Sequence, residues 1–578
     1  MKTVEGKFPD LLLKYVGPEV EKYMGININD FSKQGNKYRF FLQNLTKIHL
    51  DPSIQQEFKA ASDPKYLIIF GSVAILIVII AAINFMNLST AQASRRAKEV
   101  GIKKISGSTR AMLIGQFLLE SFVLTLLSLV LSLIIIKITL PYFNNLLGAR
   151  LTLSLLNKWY TMPGLIIFTA VVAMMAGSYP ALFLSSFNPS EVLKGGVRNS
   201  RITGQLRRIL VIIQFAVSIL LIIGTLVMYR QINYMLRKDV GFNKEHLIVI
   251  NRADALGMKM KSFKEAVKNI PGVVNISSST AVPGRNNNNN AYGIEGRKDE
   301  SFLMTTTWAD YNFIETMGMT IVGGRNFNES YSSDKDACLI NETAVKNFNI
   351  SDISKIRFME PDSPSMRYLP IIGVVRNFNF ESLRNPIQPY CIKLQNDGML
   401  WGYLTVRLSG KNYPTTINAI EEKWKEFVTN NPLQYYFMDQ DFENMYIQEK
   451  QNAQLAVIFA ILAILIASLG LFGLTSFTVE QRTKEIGVRK AMGSSVGAIY
   501  LVISREIIML VSISALISWP IIYYISGKWL ENFYYRINLG LFSFIAGLAI
   551  ALAIASLTIS YRILRAARVN PAQSLKYE

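Results

Sequence analysis

The stretch Arg95-Arg96-Ala97-Lys98-Glu99-Val100-Gly101-Ile102-Lys103-Lys104 occurs twice in this chain, the second time as Gln481-Arg482-Thr483-Lys484-Glu485-Ile486-Gly487-Val488-Arg489-Lys490. Arg96 and Arg482 are 386 positions apart. The same spacing relates Lys98 to Lys484, Glu99 to Glu485, Gly101 to Gly487, Gly107 to Gly493 and Glu120 to Glu506. A fixed spacing across polar positions indicates an internal duplication. A long apolar run ends before each copy and another follows it, so each copy is predicted to be a short basic segment between two membrane spans.

The composition is that of a membrane protein. Half of the 578 residues are hydrophobic, 18% are charged and the mean hydropathy is +0.24. The net charge of +20 would suggest nucleic acid as a partner of a soluble chain. Here the Lys and Arg residues cluster beside apolar runs, which is typical of residues that set membrane topology and face anionic lipid headgroups. We therefore expect membrane lipid, and no nucleic acid, as a partner.

The sequence contains no motif that predicts a metal site or a nucleotide site. The two cysteines and two histidines are far apart, without the spacing of a zinc or iron–sulfur site. The sequence contains no G-x-x-x-x-G-K-[ST], the loop that cradles nucleotide phosphates. The chain is therefore predicted to bind no cofactor and to have no catalytic residues of its own.

Seven apolar runs are long enough to cross a hydrocarbon layer of about 30 Å. They are predicted at 66–86, 113–138, 163–184, 209–229, 455–477, 506–525 and 541–561. Between the fourth and fifth, residues 231–450 are polar and broken by Gly and Pro, with short β-like runs such as 247–250 and 369–375. This pattern predicts one folded α+β domain between two spans. The run Asn286–Asn290 is predicted to be a mobile loop.

The distribution of Lys and Arg predicts the orientation. The loops containing Arg95–Arg110, Lys194–Arg208 and Arg482–Lys490 and the tail after Tyr561 are rich in basic residues, whereas the loops at 141–162 and 526–540 hold two each. The positive-inside rule places the rich side in the cytoplasm and the α+β domain outside. Cys338 and Cys391 both lie in that domain, where a disulfide is permitted.

Seven spans and a cytoplasmic C-terminus place the N-terminus outside, although residues 1–64 contain no signal peptide. The second half contains a span, a large external domain and three spans, whereas the first half contains an external stub and three spans. We therefore expect that an initial span and most of a first external domain precede this sequence in a longer protein.

The duplicated segments have two interpretations. In the first they are inert loops that set topology, and in the second they are short helices that dock a soluble cytoplasmic protein. The second is favoured because Glu99 lies four residues before Lys103 and Glu485 lies four residues before Arg489, a spacing that stabilises a helix. Gly107 and Gly493 are predicted to end these helices. The candidate docking residues are Arg96, Lys98, Glu99, Gly101, Lys103, Lys104 and Gly107 in the first copy and Arg482, Lys484, Glu485, Gly487, Arg489, Lys490 and Gly493 in the second.

Two carboxylates, Glu120 and Glu506, lie within or at the edge of apolar runs, where an ionisable residue costs about 2.5–3.5 kcal/mol on insertion scales. Either they face the bundle interior and pair with groups such as Gln116 or Arg505, or they reach the cytoplasmic headgroups. A proton relay is the weakest alternative. Two further stretches, 231–238 and 443–452, are predicted to carry the fourth and fifth spans into the external domain as unbroken helices, or to be ordinary juxtamembrane turns.

The repeated segments and several other motifs resemble the MacB/FtsX family of ABC transporter permeases. The string Lys484–Gly493 is specific, and the first copy departs from it at Ile105-Ser106. The other matching motifs are Asn188-Pro189, Asn570-Pro571, Gly323-Gly324-Arg325-Asn326-Phe327 and Ile372-Gly373-Val374-Val375-Arg376-Asn377-Phe378. The resemblance implies an α-helical membrane protein of about seven spans with an α+β extracytoplasmic domain, and a separate cytoplasmic ATPase, expected as a dimer, that binds ATP and Mg.

The resemblance also implies a domain organisation. The expected parts are 1–64, a remnant of a first extracytoplasmic domain; 65–187, a first FtsX-like permease unit; 188–208, a cytoplasmic connector; 209–230, a single span; 231–450, a MacB-like core domain; 453–563, a second permease unit; and 564–578, a tail.

The implied function is that of the membrane subunit of an ABC transporter in a bacterial inner membrane, with the repeated segments as the ATPase-coupling sites. Such a subunit transmits motion to the external domain to export or extract an envelope substrate, with an envelope adaptor as a partner. Two alternatives remain open: a mechanotransmitter that regulates a cell-wall hydrolase, and a sensor that partners a signalling kinase.

Overall fold

The computed structural model describes residues 2–24, 39–50, 64–91, 93–186, 201–285, 288–360, 367–395, 402–481 and 483–568. These residues divide into two compact units. The sheet unit comprises Asn233–Gln448, Asn532–Arg536 and the described part of Met1–Ala61. The helical unit comprises Ser62–Ile232, Glu449–Glu531 and the described part of Ile537–Glu578. Most of the predicted connector at 188–208, Arg482 and the tail from residue 569 lie outside the described residues.

The helices are numbered in chain order. They are α1 Lys2–Glu5, α2 Phe8–Leu11, α3 Gly17–Met24, α4 Pro64–Ala91, α5 Ala93–Ile105, α6 Arg110–Leu147, α7 Thr161–Ser185, α8 Arg201–Arg237, α9 Met260–Lys268, α10 Phe313–Met317, α11 Glu342–Asn347, α12 Tyr413–Phe427, α13 Met438–Asn444, α14 Ile447–Gln481, α15 Thr483–Ala491, α16 Val496–Leu530 and α17 Leu541–Arg568. Within the described residues seven of them, α4, α6, α7, α8, α14, α16 and α17, are long and apolar enough to cross a membrane. The expected α-helical membrane fold is confirmed.

The central span of the helical unit is α8. Half of its most apolar window is buried inside the protein, whereas none of the corresponding window of α6 is. The buried side of α8 packs with α14, α16 and α17 in one apolar cluster that includes Ile219, Ile223, Leu471, Val511 and Ile559. Since lipid chains are as apolar as these side chains, close packing and interhelical hydrogen bonds must supply the specificity of this arrangement.

Gly470 of α14 marks a point where three spans meet. Gln214 of α8 donates a hydrogen bond to the Ala467 carbonyl at 3.0 Å, and Asn84 of α4 donates to the Ile466 carbonyl at 3.4 Å. A Cβ atom at Gly470 would lie 2.6 Å from the Asn84 side-chain oxygen. The missing side chain therefore allows two polar side chains to reach the backbone of α14 within the apolar interior.

Within its described residues, the sheet unit contains 11 strands. They are β1 Leu247–Ile250, β2 Val273–Ser279, β3 Asn288–Ile294, β4 Arg297–Ala309, β5 Ile321–Gly324, β6 Cys338–Asn341, β7 Arg357–Glu360, β8 Arg367–Val375, β9 Tyr390–Leu394, β10 Tyr403–Leu408 and β11 Tyr435–Phe437. Their order is β11-β1-β10-β2-β4-β3-β7-β8-β6-β9, and β9 returns to pair with β4 in parallel. Six strands therefore close into a ring, and the expected α+β domain is confirmed.

Two apolar cores stabilise this unit. In the first, α9 and α12 pack on the strands β1, β2 and β10, with Phe263, Ile420 and Trp424 fully buried between them. The helical spacing of Ile417, Ile420 and Trp424 along α12 turns these side chains to one face. The second core fills the ring of six strands and contains Cys338 and Cys391 among its buried members. Both thiols are free, and the neighbouring Cys391 thiol together with burial raises the pKa of Cys338.

The two glycine-containing motifs of the external domain lie side by side. Gly324, at the end of β5, pairs with Gly373 in β8. A Cβ atom on Gly324 would lie 2.3 Å from the Ile372 carbonyl oxygen, and one on Gly373 would lie 2.3 Å from the Arg325 carbonyl oxygen. Gly324 also has a positive φ of 68°, which glycine adopts most readily. Glycine is therefore required at both positions, because the two backbones lie too close together for a side chain.

Two sequence-based expectations about this unit are wrong. Asn288–Asn290 form the start of β3 and pair with β4, so this part of the asparagine run is a strand; Asn286 and Asn287 lie outside the described residues. The stretch 443–452 is not one helix, because the chain turns between α13 and α14. That turn buries Tyr446, whose hydroxyl accepts a hydrogen bond from the Leu383 amide at 2.8 Å. The expectation for 231–238 is confirmed as far as Arg237, where α8 ends.

Candidate functional site

The two copies of the repeated segment form short helices, α5 and α15, that each lie between two spans. Both contain an ion pair between residues four positions apart: Lys103 to Glu99 at 2.8 Å and Arg489 to Glu485 at 2.7 Å. The hydrogen bond from Lys103 lowers the pKa of Glu99, which favours the charged form. The helices predicted from this spacing are therefore present in both copies, with equivalent ion pairs.

Both helices end in the same turn. Gly107 and Gly493 have positive φ values of 95° and 88°. In each copy the residue after the glycine donates its backbone N–H to a carbonyl five positions earlier, Ser108 to Lys103 and Ser494 to Arg489, both at 3.0 Å. This pattern satisfies carbonyl groups at the end of a helix and requires a left-handed residue, usually glycine. The predicted helix ends at Gly107 and Gly493 are confirmed.

The next spans begin with the same cap. The Thr109 hydroxyl accepts from the Met112 amide at 3.3 Å before α6, and the Ser495 hydroxyl accepts from the Ala498 amide at 3.2 Å before α16. Hydroxyl caps of this kind satisfy backbone N–H groups at the start of a helix. Since the turn and the cap are equivalent, each short helix is connected to its following span by the same backbone geometry.

The burial of the two segments agrees position by position from Glu99 to Gly107 and from Glu485 to Gly493. Val100 and Ile486 are buried, as are Gly101 and Gly487, whereas Lys104 and Lys490 are half-buried. Ile102 and Val488 are 59% and 45% exposed. Each segment therefore has one face packed into the helical unit and another that presents an aliphatic side chain beside charged ones. The side chains of Lys98 and Lys484 lie outside the described residues.

The Glu120 carboxylate is paired with Arg96 of α5. The two terminal guanidinium nitrogens donate to the two carboxylate oxygens at 2.9 and 2.8 Å. Gln116, one of the expected partners, instead accepts a hydrogen bond from Lys103 at 3.2 Å. Two parallel hydrogen bonds fix the orientation of both groups. The first segment is therefore joined to its following span by a bidentate ion pair.

Glu506, the repeat equivalent of Glu120, has a partner on a different helix. Arg208 of α8 donates to one Glu506 oxygen from two guanidinium nitrogens, at 2.9 and 2.8 Å. Arg505, the expected partner, precedes Glu506 in the same helix and is not the residue that forms this ion pair. The Glu120 and Glu506 side chains are 41% and 36% exposed, so neither is enclosed in the apolar interior. Arg208 lies 298 positions from Glu506, and nothing in the sequence indicates this pairing.

A metal site is not apparent within the described part of the chain, where no three His, Cys, Asp or Glu side chains form a group that could bind an ion. The described residues form two equivalent short helices, each fixed to a span and each exposing charged and aliphatic side chains.

Comparison with known proteins assigns these segments to a family. Residues 71–189 and 457–571 match the family described as FtsX-like permease C-terminal. An uncharacterized ABC transporter permease, YknZ of Bacillus subtilis, is 30% identical over 127 residues, which cover 22% of this chain and 31% of YknZ. The macrolide export ATP-binding/permease protein MacB of Bdellovibrio bacteriovorus is 28% identical over 169 residues, which cover 28% of this chain and 23% of MacB.

The matched stretches therefore span less than a third of these relatives. The crystal structure of the periplasmic region of MacB from Actinobacillus actinomycetemcomitans covers 36% of this chain and 97% of that region at 12% identity, with a TM-score of 0.27. That score is too low to transfer any property. Both predicted permease units match this family, which together with the similarity to YknZ and MacB supports a MacB/FtsX-family ABC transporter permease, a multi-pass membrane protein with an extracytoplasmic domain.

Proposed function

We propose that this chain is the membrane subunit through which a separate cytoplasmic ATPase drives motion of the extracytoplasmic domain, with α5 and α15 as the two docking sites. The observation that carries the proposal is the equivalence of the two segments in ion pair, terminal turn, cap and burial. Two equivalent surfaces on one chain fit a partner with two equivalent subunits. An ABC ATPase dimer is such a partner, and it would supply the ATP and Mg sites.

The chemistry of the exposed faces supports one kind of complementary site on the ATPase. Ile102 and Val488 occupy equivalent positions, and both expose aliphatic side chains beside basic residues. An aliphatic side chain surrounded by charged ones matches the apolar core and polar rim of protein interfaces. The complementary surface would be a shallow apolar groove with carboxylates at its edge.

The test replaces both anchors by aspartate, Ile102→Asp with Val488→Asp. These side chains are exposed, so the change should cost the fold no more than about 0.5 kcal/mol. Reversing Arg96 would be less informative, because this residue also pairs with Glu120. Val322→Asp, at a residue that is equally exposed but lies in the sheet unit, is the matched control.

We expect the double variant to lose at least tenfold in ATPase co-purification and in permease-stimulated ATP hydrolysis, with normal membrane insertion. Each single variant should show a partial loss, and the control should equal the wild type. The chain purified alone should hydrolyse no ATP above background. Normal stimulation in the double variant would refute docking through these faces. ATP turnover by the isolated chain would refute the assignment of ATP hydrolysis to a separate subunit.

We further propose that the moving domain serves export or extraction of an envelope substrate in a bacterial inner membrane. The name of the MacB relatives, macrolide export proteins, supports this direction of transport. Mass spectrometry of extracytoplasmic proteins that co-purify with the full chain tests it. An envelope adaptor is the expected result. A cell-wall hydrolase among these proteins would instead refute export and indicate that the chain regulates that hydrolase.

A further inference from the structure

The spans α8 and α16 lie side by side and run in parallel. The Ser514 hydroxyl lies 3.0 Å from the Ile212 carbonyl oxygen and the Ser518 hydroxyl 2.9 Å from the Ala216 carbonyl oxygen. Each hydroxyl shares its hydrogen between this carbonyl and one four residues earlier in its own helix, at 2.8 and 2.6 Å. Both contacts join residues 302 positions apart, and a constant difference between contacting positions requires parallel helices. Both serines are fully buried. The two helices are therefore held in one register over at least a turn.

The Arg208–Glu506 ion pair continues this contact toward the cytoplasmic ends of the same two helices. Glu506 lies ten residues after the start of α16, and α16 is the first element after α15. Arg208 lies near the start of α8. A displacement of the second docking segment α15 would therefore move Glu506 through helix α16, and it would move Arg208 of α8 through the ion pair with Glu506.

The far end of α8 belongs to the other compact unit. The helix runs without interruption for 37 residues, about 55 Å at 1.5 Å per residue, and residues from Asn233 onward are part of the sheet unit. Among the described helices only α8 and α14 cross from one unit into the other. A contact on the cytoplasmic end of α8 is consequently a contact on an element that continues into the external domain.

The first copy of the repeat also contains an ion pair at the equivalent carboxylate. Glu120 is paired with Arg96 of the docking helix α5, so this ion pair joins a docking segment to its own span. Glu506 joins its own span to α8 through Arg208. Arg482, the repeat equivalent of Arg96, lies outside the described residues.

We propose that Arg208 and Glu506 are positioning residues for energy transmission: they make α16 and α8 move together, so that motion of the second docking segment is passed to the external domain. The inference rests on the proposed function. It predicts that loss of the pair separates ATPase binding from domain motion, two properties that a general loss of folding would reduce together.

The experiment uses the full chain in membranes of its own cell, with its own ATPase present. A fluorescent label on Ser262→Cys, an exposed position of α9, reports on the external domain; Cys338 and Cys391 are buried and free. The variants are Glu506→Gln and the charge exchange Arg208→Glu with Glu506→Arg. Lys528→Gln is the matched control, since it breaks an exposed ion pair with Glu531 near the other end of α16.

We expect Glu506→Gln to retain ATPase co-purification within about twofold and to lose at least fivefold of the ATP-dependent change in fluorescence. The charge exchange should recover at least half of that change, and the control should match the wild type. A wild-type response in Glu506→Gln, or no recovery in a charge-exchange protein that still binds the ATPase, would overturn the inference. A wild-type chain that binds no ATPase would instead overturn the proposed function.

Discussion

Asp334 provides a direct test of how the external domain is stabilised. Its carboxylate is 0% exposed and accepts hydrogen bonds from two Arg325 guanidinium nitrogens, both at 2.6 Å, and from the Asn328 amide at 2.9 Å. Burial by itself raises the pKa of this carboxyl, but the bonds from Arg325 and Asn328 outweigh it, so that the pKa of Asp334 is lowered. Asp334→Asn keeps the shape of the side chain and removes its charge.

The magnitude follows from these contacts. Removing one partner of a fully buried pair costs about 3–5 kcal/mol, and a single hydrogen bond to a charged group contributes about 1.5–3 kcal/mol. The Arg325 side chain is 41% exposed and can turn to water when the carboxylate is lost, so the smaller range applies. We expect a loss of about 2 kcal/mol in the free energy of unfolding, which is about a 30-fold change in the opening equilibrium.

The buried thiols supply the assay. Cys338 and Cys391 lie in the core of the strand ring and become reactive only when that core opens. At pH 7, labelling of full-length Asp334→Asn by a disulfide reagent should be about 30 times faster than that of the wild type. Asp336→Asn, whose carboxylate is 62% exposed, should change the rate by no more than about twofold.

The pH dependence has a defined sign. Because the folded protein lowers the pKa of Asp334, its stabilisation is complete above the ordinary carboxyl value of 3.8 and is lost as the pH falls through the folded value. The wild type should therefore approach the Asp334→Asn variant only below about pH 4. A labelling rate within threefold of wild type at pH 7 would refute the reasoning, as would a difference that disappears between pH 7 and pH 5.

Two further changes test the close contacts of each unit. Gly373→Ala places a Cβ atom 2.3 Å from a backbone oxygen and should destabilise the sheet unit by about 1–3 kcal/mol. Gly323→Ala, where no atom lies nearer than 3.8 Å to the new Cβ, should cost less than 1 kcal/mol. Thiol labelling that is not faster in Gly373→Ala than in Gly323→Ala would contradict the packing argument. Gln214→Leu removes an interhelical bond to α14 and should lower the stability of the helical unit by about 0.6–1.7 kcal/mol in thermal unfolding. Ser512→Ala, which loses only a bond within its own helix, should unfold like the wild type, and equal melting of the two variants would exclude a role for the Gln214 contact.

Local features of this protein could be predicted from sequence. The apolar runs predicted seven membrane helices because an isolated span must satisfy its own backbone hydrogen bonds. The short helices α5 and α15 and their ends at Gly107 and Gly493 were equally predictable, since the ion pairs and left-handed glycines act within one or two turns of chain. The repeat itself predicted that the two segments would be equivalent.

The structure corrected expectations that depended on distant neighbours. Asn288–Asn290 have no hydrophobic period, yet they form a strand because β4 supplies hydrogen-bond partners along their backbone. At the break before α14, the buried Tyr446 hydroxyl accepts a hydrogen bond from the amide of residue 383. Neither neighbour is identifiable from the local sequence, because the order of strands around a closed ring is decided by the packing of the whole unit.

The partners of the two repeated carboxylates are the clearest case of what tertiary structure alone decided. Sequence indicated that Glu120 and Glu506 needed a cation or a route to water, and it made them equivalent. The fold brings Arg96 to one and Arg208 to the other. A carboxylate at the edge of a membrane pairs with whichever guanidinium the packed helices bring within about 3 Å, and that distance is set by helix packing across 298 residues of intervening chain.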